Sequence, residues 1–294
     1  MSMHTVLLTS LLLVPPASQE ARPDPSTLEA SLRGAIAESG AEVALAMRSL
    51  DGKDSVLIDA DKPFHAASTM KVPVMIELFR QAHTGSLTLG DSLPVRNEFH
   101  SIVDGSVYQM DVSDDSDGEV YKRTGKTMAL RELCEAMITV SSNFAANLLI
   151  ERLGANHVQA TVERLGGTGV HVLRGVEDQK AFDKGLNNVT TAGGLAALFE
   201  HLARGTAVSP KADAEMIAIL KRQKFNDAIP AGVPEGTPVA HKTGTITKIH
   251  HDAGIVYGPH PYVVVVLTRG IQDQKVSGPL MASISREVWN ALAK

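Results

Sequence analysis

Three short stretches of this sequence carry side chains that could do covalent chemistry. In "HAASTMKVPVMIELF", Ser68 and Lys71 stand three positions apart at the start of a segment whose apolar residues are too dense for a surface helix. At that spacing an amine and a hydroxyl lie on one face. A serine hydroxyl is a weak nucleophile at neutral pH and needs a base within hydrogen-bond reach. Lysine can be that base if its charge is destabilised by roughly 4 to 5 kcal/mol, through burial and a neighbouring cation. An isolated Ser-x-x-Lys is more often a helix cap beside a lysine that snorkels to water.

The second stretch, Ser141-Ser142-Asn143, interrupts two apolar helical patterns in "TMALRELCEAMITVSSNFAANLLIERLG". Read alone it is a cap and turn; in a cleft the same corner would present a hydroxyl and an amide. The third is "HKTGT". Strand alternation puts Thr243 and Thr245 on one face and Lys242 on the other, and Gly244 leaves the backbone open to close approach. A ligand could lie against it as an added strand.

Taken together and in this order, Ser68-x-x-Lys71, Ser141-x-Asn143 and Lys242-Thr243-Gly244 resemble the motif set of the serine β-lactamase and penicillin-binding protein superfamily. From about Ser26 onward the chain is similar to the class A β-lactamases, above all in "RELCEAMITVSSNFAANLLIERLG". The resemblance implies an acyl-enzyme on Ser68 with Lys71 as base and Ser141 as proton shuttle. It implies that Asn143 holds the substrate amide, and that Lys242 attracts the substrate carboxylate and acts as the cation beside Lys71. The backbone N–H groups of Ser68 and Thr245 would form an oxyanion hole, beside Thr243 and Gly244 in the binding strand. Glu177, 36 positions after Ser141, falls where the family keeps the glutamate that activates the deacylating water.

The chain also departs from that pattern. Lys180 and Ala181 stand where the family has Leu and Asn, so the amide that helps hold the water is missing unless Asn187 or Asn188 replaces it. Ser142 replaces the aspartate of Ser-Asp-Asn, and Cys134 faces Met75 in place of a disulfide partner. The alternative function is therefore a related acyl-serine hydrolase, or a penicillin-binding DD-peptidase or esterase, acting on a non-lactam amide or ester.

The elements that must position these residues come from both ends of the chain. "EVALAMRSLDGKDSVLIDAD" reads as a hairpin about Asp51-Gly52, after a helix at Ser26 to Ser39. "TPVAHKTGTIT", "HDAGIVYG" and "PYVVVVLTR" read as late strands, followed by a helix from Pro279 to Ala293. Helical patterns fill Ser68 to Arg204. The expected fold is α/β: an antiparallel sheet of about five strands flanked by the N- and C-terminal helices, with an inserted all-α domain and the active site at the domain interface. The expected boundaries are 21–61 with 206–294 for the discontinuous α/β domain and 62–205 for the all-α domain.

At 294 residues, 44% hydrophobic and a net charge of −5, the chain suits a globular enzyme with a small-molecule substrate, here a β-lactam, and no nucleic-acid partner. The apolar run near Val6 to Val14 resembles a signal peptide over 1–20, which implies a periplasmic or secreted protein, and it is too short to span a membrane. A monomer is expected. The acidic stretch "SVYQMDVSDDSDGEVYKRTGK" reads as a solvated loop, since the twelfth calcium-loop position is Thr124 rather than glutamate. His250, His251 and Asp252 lack zinc-site spacing and read as strand-end or loop residues, so no metal and no cofactor are expected.

Overall fold

A computed structural model describes residues 25–292. The leader expected at 1–20 lies outside the described residues.

The described chain begins with α1 (Pro25–Ser39), the hairpin β1 (Glu42–Ser49) and β2 (Ser55–Ile58), and the short β3 (Phe64–His65). After α2 (Lys71–His83) come the brief strands β4 (Ser92–Pro94), β5 (Phe99–His100), β6 (Val107–Tyr108) and β7 (Thr127–Ala129). Helices α3 (Leu130–Thr139), α4 (Asn143–Leu153), α5 (Ala155–Arg164) and α6 (Gln179–Asp183) lead to β8 (Val189–Thr190). Two more helices, α7 (Ala192–Ala203) and α8 (Pro210–Leu220), precede β9 (Val239–Ile246), β10 (Ile249–Val256), β11 (Tyr262–Arg269) and α9 (Gln274–Leu292).

The five long strands form one antiparallel sheet in the order β2-β1-β11-β10-β9. Side-chain alternation divides each central strand between two cores. Val43, Leu45 and Met47 pack with α1 and α9 on one face, while Ala44 and Ala46 face the helices between α2 and α8. In β11, Val264 and Val266 join the first core, and Val263, Val265 and Leu267 the second. Helices cover both faces, which is why "VVVV" can run uninterrupted without exposing apolar surface.

The helical reading from Ser68 to Arg204 needs correction between 84 and 129. That region is two small ribbons, β4 with β7 and β5 with β6, plus 3₁₀ turns. Its apolar residues Val95, Phe99, Met110 and Val120 are buried one at a time, so no helical period is needed to anchor it. The last helix starts at Gln274 and contains Pro279. His250, His251 and Asp252 belong to the interior of β10, not to a strand end: each is buried. His250 Nδ1 meets Ser277 Oγ at 2.8 Å, His251 Nε2 meets the His65 carbonyl at 3.0 Å, and Asp252 accepts from His241 and from the Ile229 N–H. Polar residues survive there because each finds a partner.

Candidate active site

Ser68 lies in a 3₁₀ turn, Ala67–Met70, and the α-helix begins only at Lys71. Ser68 is thus neither the N-cap nor a helical residue of α2. The turn is fixed from outside: β3 pairs with β8, the Ala66 N–H donates to the Asn188 carbonyl at 2.9 Å, and His65 Nδ1 accepts the Ala67 N–H at 3.1 Å. Ala67 adopts φ +45°, a conformation unfavourable for a residue with a Cβ. Ser141 at φ +60° and Glu177 at φ +63° share it. Among the described residues, three of the five non-glycine residues with positive φ are thus Ser141, Glu177 and the neighbour of Ser68. Strain of this kind persists where surrounding contacts over-determine the backbone.

Lys71 is fully buried. Its Nζ donates to the Ser141 carbonyl at 2.5 Å, to Asn143 Oδ1 at 2.7 Å and to Ser141 Oγ at 3.3 Å. The expected direct contact with Ser68 is not among its hydrogen bonds; Ser141 and Asn143 occupy the amine. Lys242 is likewise buried, and its Nζ donates to Ser141 Oγ at 2.9 Å and to the Thr243 carbonyl at 2.9 Å. Both lysines therefore converge on one hydroxyl. Burial depresses Lys71 to about 7, against an upward pull from Asp115 and Glu177. Burial and then the charge of Lys71 hold Lys242 well below the usual lysine range. Dehydration is thus the largest cause at Lys71, and two buried amines that share Ser141 Oγ disfavour each other's charge.

Gly244 has a different use from the one its sequence suggests. A Cβ there would lie 3.1 Å from the backbone nitrogens of Ser68 and Thr69. The missing side chain lets β9 press against the Ser68 turn, leaving Thr245 beside Ser68.

Glu177 is half-buried, and its Oε1 accepts from Asn143 Nδ2 at 2.8 Å. Burial raises its carboxyl above the usual range; Asp115 and Asp114 push the same way, while the Asn143 bond and Lys71 oppose. It makes no ion pair with Arg174, whose guanidinium donates to the Leu186 and Gly175 carbonyls and to Asn187 Oδ1. Asn188 accepts from the N–H groups of Leu173 and Arg174. Asn187 and Asn188 therefore fasten the loop, and Asn188 also lines the cleft that holds Glu177.

Sequence reasoning missed the residues that aim Glu177. Asn147, one helical turn after Asn143 on α4, grips the Val176 peptide: Oδ1 accepts its N–H at 2.7 Å and Nδ2 donates to its carbonyl at 2.9 Å. A Cβ on Gly175 would fall 2.4 Å from Asn147 Oδ1, so the glycine gives that amide its room. Tyr108 Oη donates to the same carbonyl at 3.1 Å, and Asp178 accepts from Ser101 Oγ and the Ile102 N–H. The only signal for Asn147 was a polar residue inside the apolar run from Phe144 to Ile150.

Ser68, Asn143, Glu177 and Thr245 line one cleft of about 340 Å³. Ser68, Ser141, Thr243 and Thr245 also border a second hollow of about 360 Å³ on the other side. The nucleophile candidate sits where the two meet. Among the described residues no group of three His, Cys, Asp or Glu side chains is arranged to hold a metal, and no helix is long and apolar enough to cross a membrane. Cys134 is buried and free.

An interrupted antiparallel sheet, with a buried lysine pair meeting at a serine beside a strand of the Lys-Thr-Gly type, is the arrangement the motifs implied. The chain belongs to the β-lactamase enzyme family, whose model matches residues 27–292. It is 30% identical over 173 residues to a β-lactamase of Streptomyces lavendulae, a stretch covering 56% of each chain. In structure it is similar to a β-lactamase from Sphaerobacter thermophilus DSM 20745, with TM-score 0.79 and 26% identity over 92% of this chain and 98% of that one. It is equally similar to a variant of PBP-A solved as an acyl-enzyme complex with penicillin G, with TM-score 0.79 and 26% identity over 91% and 97%.

Proposed function

We propose that this protein is a class A-like serine β-lactamase: it opens the ring of penicillin- or cephalosporin-type antibiotics through an ester on Ser68, and water activated by Glu177 releases the product. One observation carries the reading: Glu177 and Ser68 line the same cleft, and Asn143 links Glu177 to Lys71.

A neutral amine has two donors and one lone pair. With its pKa near 7, Lys71 can keep the Ser141 carbonyl and Asn143 as acceptors and turn the lone pair toward a hydroxyl. It takes the Ser68 proton as Oγ attacks the lactam carbonyl carbon. The developing oxyanion meets the N–H groups of Ser68 and Thr245, worth about 3 to 4 kcal/mol per donor in comparable hydrolases. The C–N bond then breaks, and the proton held by Lys71 passes through Ser141, which touches both lysines, to the leaving nitrogen. In the second half-reaction Glu177 takes a proton from water, the hydroxide attacks the ester carbon, and the ester C–O bond breaks as Glu177 returns that proton to Ser68 Oγ. Asn143 and the 243–245 strand hold the substrate, Lys242 attracting its carboxylate. Export to the periplasm or outside the cell, and action as a monomer, complete the proposal; antibiotic resistance would be its consequence.

The absent amide at Ala181 favours a second reading, a penicillin-binding hydrolase with a long-lived acyl-enzyme. The likeness to PBP-A supports it. The Glu177→Ala variant separates the two. For a β-lactamase it gives a burst of one equivalent with penicillin G and then turnover slowed by about 10² to 10⁴, with the ester visible by intact mass. A wild-type protein that itself holds the ester for hours selects the second reading.

A further inference from the structure

The loop between β6 and β7 reaches into the site. Asp115, half-buried, accepts the backbone N–H groups of Asn143 and Phe144, each at 2.9 Å, and the Ser142 hydroxyl at 3.3 Å. It therefore caps α4 from 27 residues away, alongside the helix's own cap, Ser142, whose Oγ accepts the Ala145 N–H. A carboxylate suits that place, since the first N–H groups of a helix lack intrahelical partners and carry partial positive charge. The corner that begins the helix is the one holding Lys71 and Glu177 through Asn143, with Ser141 in a strained conformation. Its own sequence offers no acid, because Ser142 stands in that position.

We infer that Asp115 is a positioning residue: it supplies from a distant loop the carboxylate that the Ser141-Ser142-Asn143 corner lacks, and so fixes Asn143 and Ser141 against Lys71. This rests on Ser68 being the nucleophile. The preceding β5–β6 turn is pinned to the Glu177 segment, as Lys180 Nζ donates to Asp104 Oδ2 at 2.7 Å and to Ser106 Oγ at 2.8 Å. Besides steric support, Asp115 supplies charge. Lys71 is faced by Asp115, Glu177 and Lys242, and the negative charge of Asp115 raises the pH at which Lys71 loses its proton.

The test uses the full chain and two probes of Ser68: penicillin G, scored by acylation rate, and phenylboronic acid, which captures an activated serine without needing a lactam. Asp115→Ala should acylate about 10- to 100-fold more slowly, the scale of an ångström-sized misplacement, and the acid limb of its pH profile should move to lower pH. Adding Ser142→Asp, which places a carboxylate on the corner itself, should restore both rate and limb. If Asp115→Ala does not fold, Asp115→Asn keeps the shape without the charge and should still move the limb. Wild-type rates and limb in Asp115→Ala, or a folded double variant with no recovery, overturn the inference. Should the wild type take up boronate but not penicillin, ring opening fails as the function. Asp115 is then judged by boronate affinity and its pH dependence, with the same expected loss and recovery.

Discussion

Lys71 and Glu177 are joined through one amide: Asn143 Oδ1 accepts from Lys71 Nζ at 2.7 Å while its Nδ2 donates to Glu177 Oε1 at 2.8 Å. The two groups proposed as bases for the two half-reactions therefore feel each other's state. That bond favours the ionised carboxylate, and burial opposes it. Asn143→Ala should raise the Glu177 carboxyl further, so deacylation fails at a higher pH than in the wild type as acid is added. Single-turnover release of a preformed acyl-enzyme, followed across pH 5 to 8, measures the limb; an unmoved limb removes the amide link from the mechanism.

Burial of Lys71 also makes stability depend on pH. Its pKa falls from 10.5 in the unfolded chain to about 7 in the fold, so between those values the unfolded state binds more protons and stability rises with pH. Below about 7 the fold must bury a charge, at a cost of up to about 5 kcal/mol. Relative to Lys71→Met, the wild type should thus gain stability as pH rises from 7 toward 10, and the two curves should run parallel below 7. Denaturant midpoints at four pH values test the sign.

Glu177 holds a backbone conformation suited to glycine and a half-buried carboxyl. Glu177→Gly relieves both and loses some backbone restraint in the unfolded chain, for a net gain of about 1 kcal/mol. The melting temperature should rise by about 2 to 4 °C while the acyl-enzyme accumulates. A variant that melts lower than the wild type contradicts the strain argument.

At Gly244 two of the three atoms in the way are backbone nitrogens, which cannot swing aside as a flexible side chain can, and the third is Thr69 Cγ2. Gly244→Ala should therefore displace β9 from the Ser68 turn, costing about 1 to 3 kcal/mol of stability and at least about tenfold in acylation. Labelling by penicillin G at wild-type speed would show that the strand does not need this contact.

The sheet was legible because its strands are locally periodic and punctuated: Asp51-Gly52 closes the hairpin, and the valines of β11 admit no other reading once helices cover both faces. The three motifs were legible because each is contiguous, and the structure brings all three around Ser68 and Ser141. Asp115 and Asn147 were not, since their work is done on backbone groups about thirty residues away and leaves no pattern in either stretch. The burial of His250 and Asp252 was misjudged for a related reason: a polar residue looks exposed until its partner, Ser277 or His241, is known.

The pairing of β1 with β11, Glu42 opposite Arg269 and Ser49 opposite Tyr262, has a consequence for the order in which the enzyme comes to exist. A ribosome delivers β1 and the Ser68 turn well before β9, with Lys242 and Gly244, and before β11, the strand that closes the sheet. Until then the central strand lacks a neighbour, and Ser141 lacks one of its two lysines. Closing so long a loop is slow, and partly made chains with open strand edges are prone to associate. The growing polypeptide thus carries Ser68 without Lys242 and Gly244 beside it, and the site proposed around that serine is assembled only once β9 to β11 are available to fold.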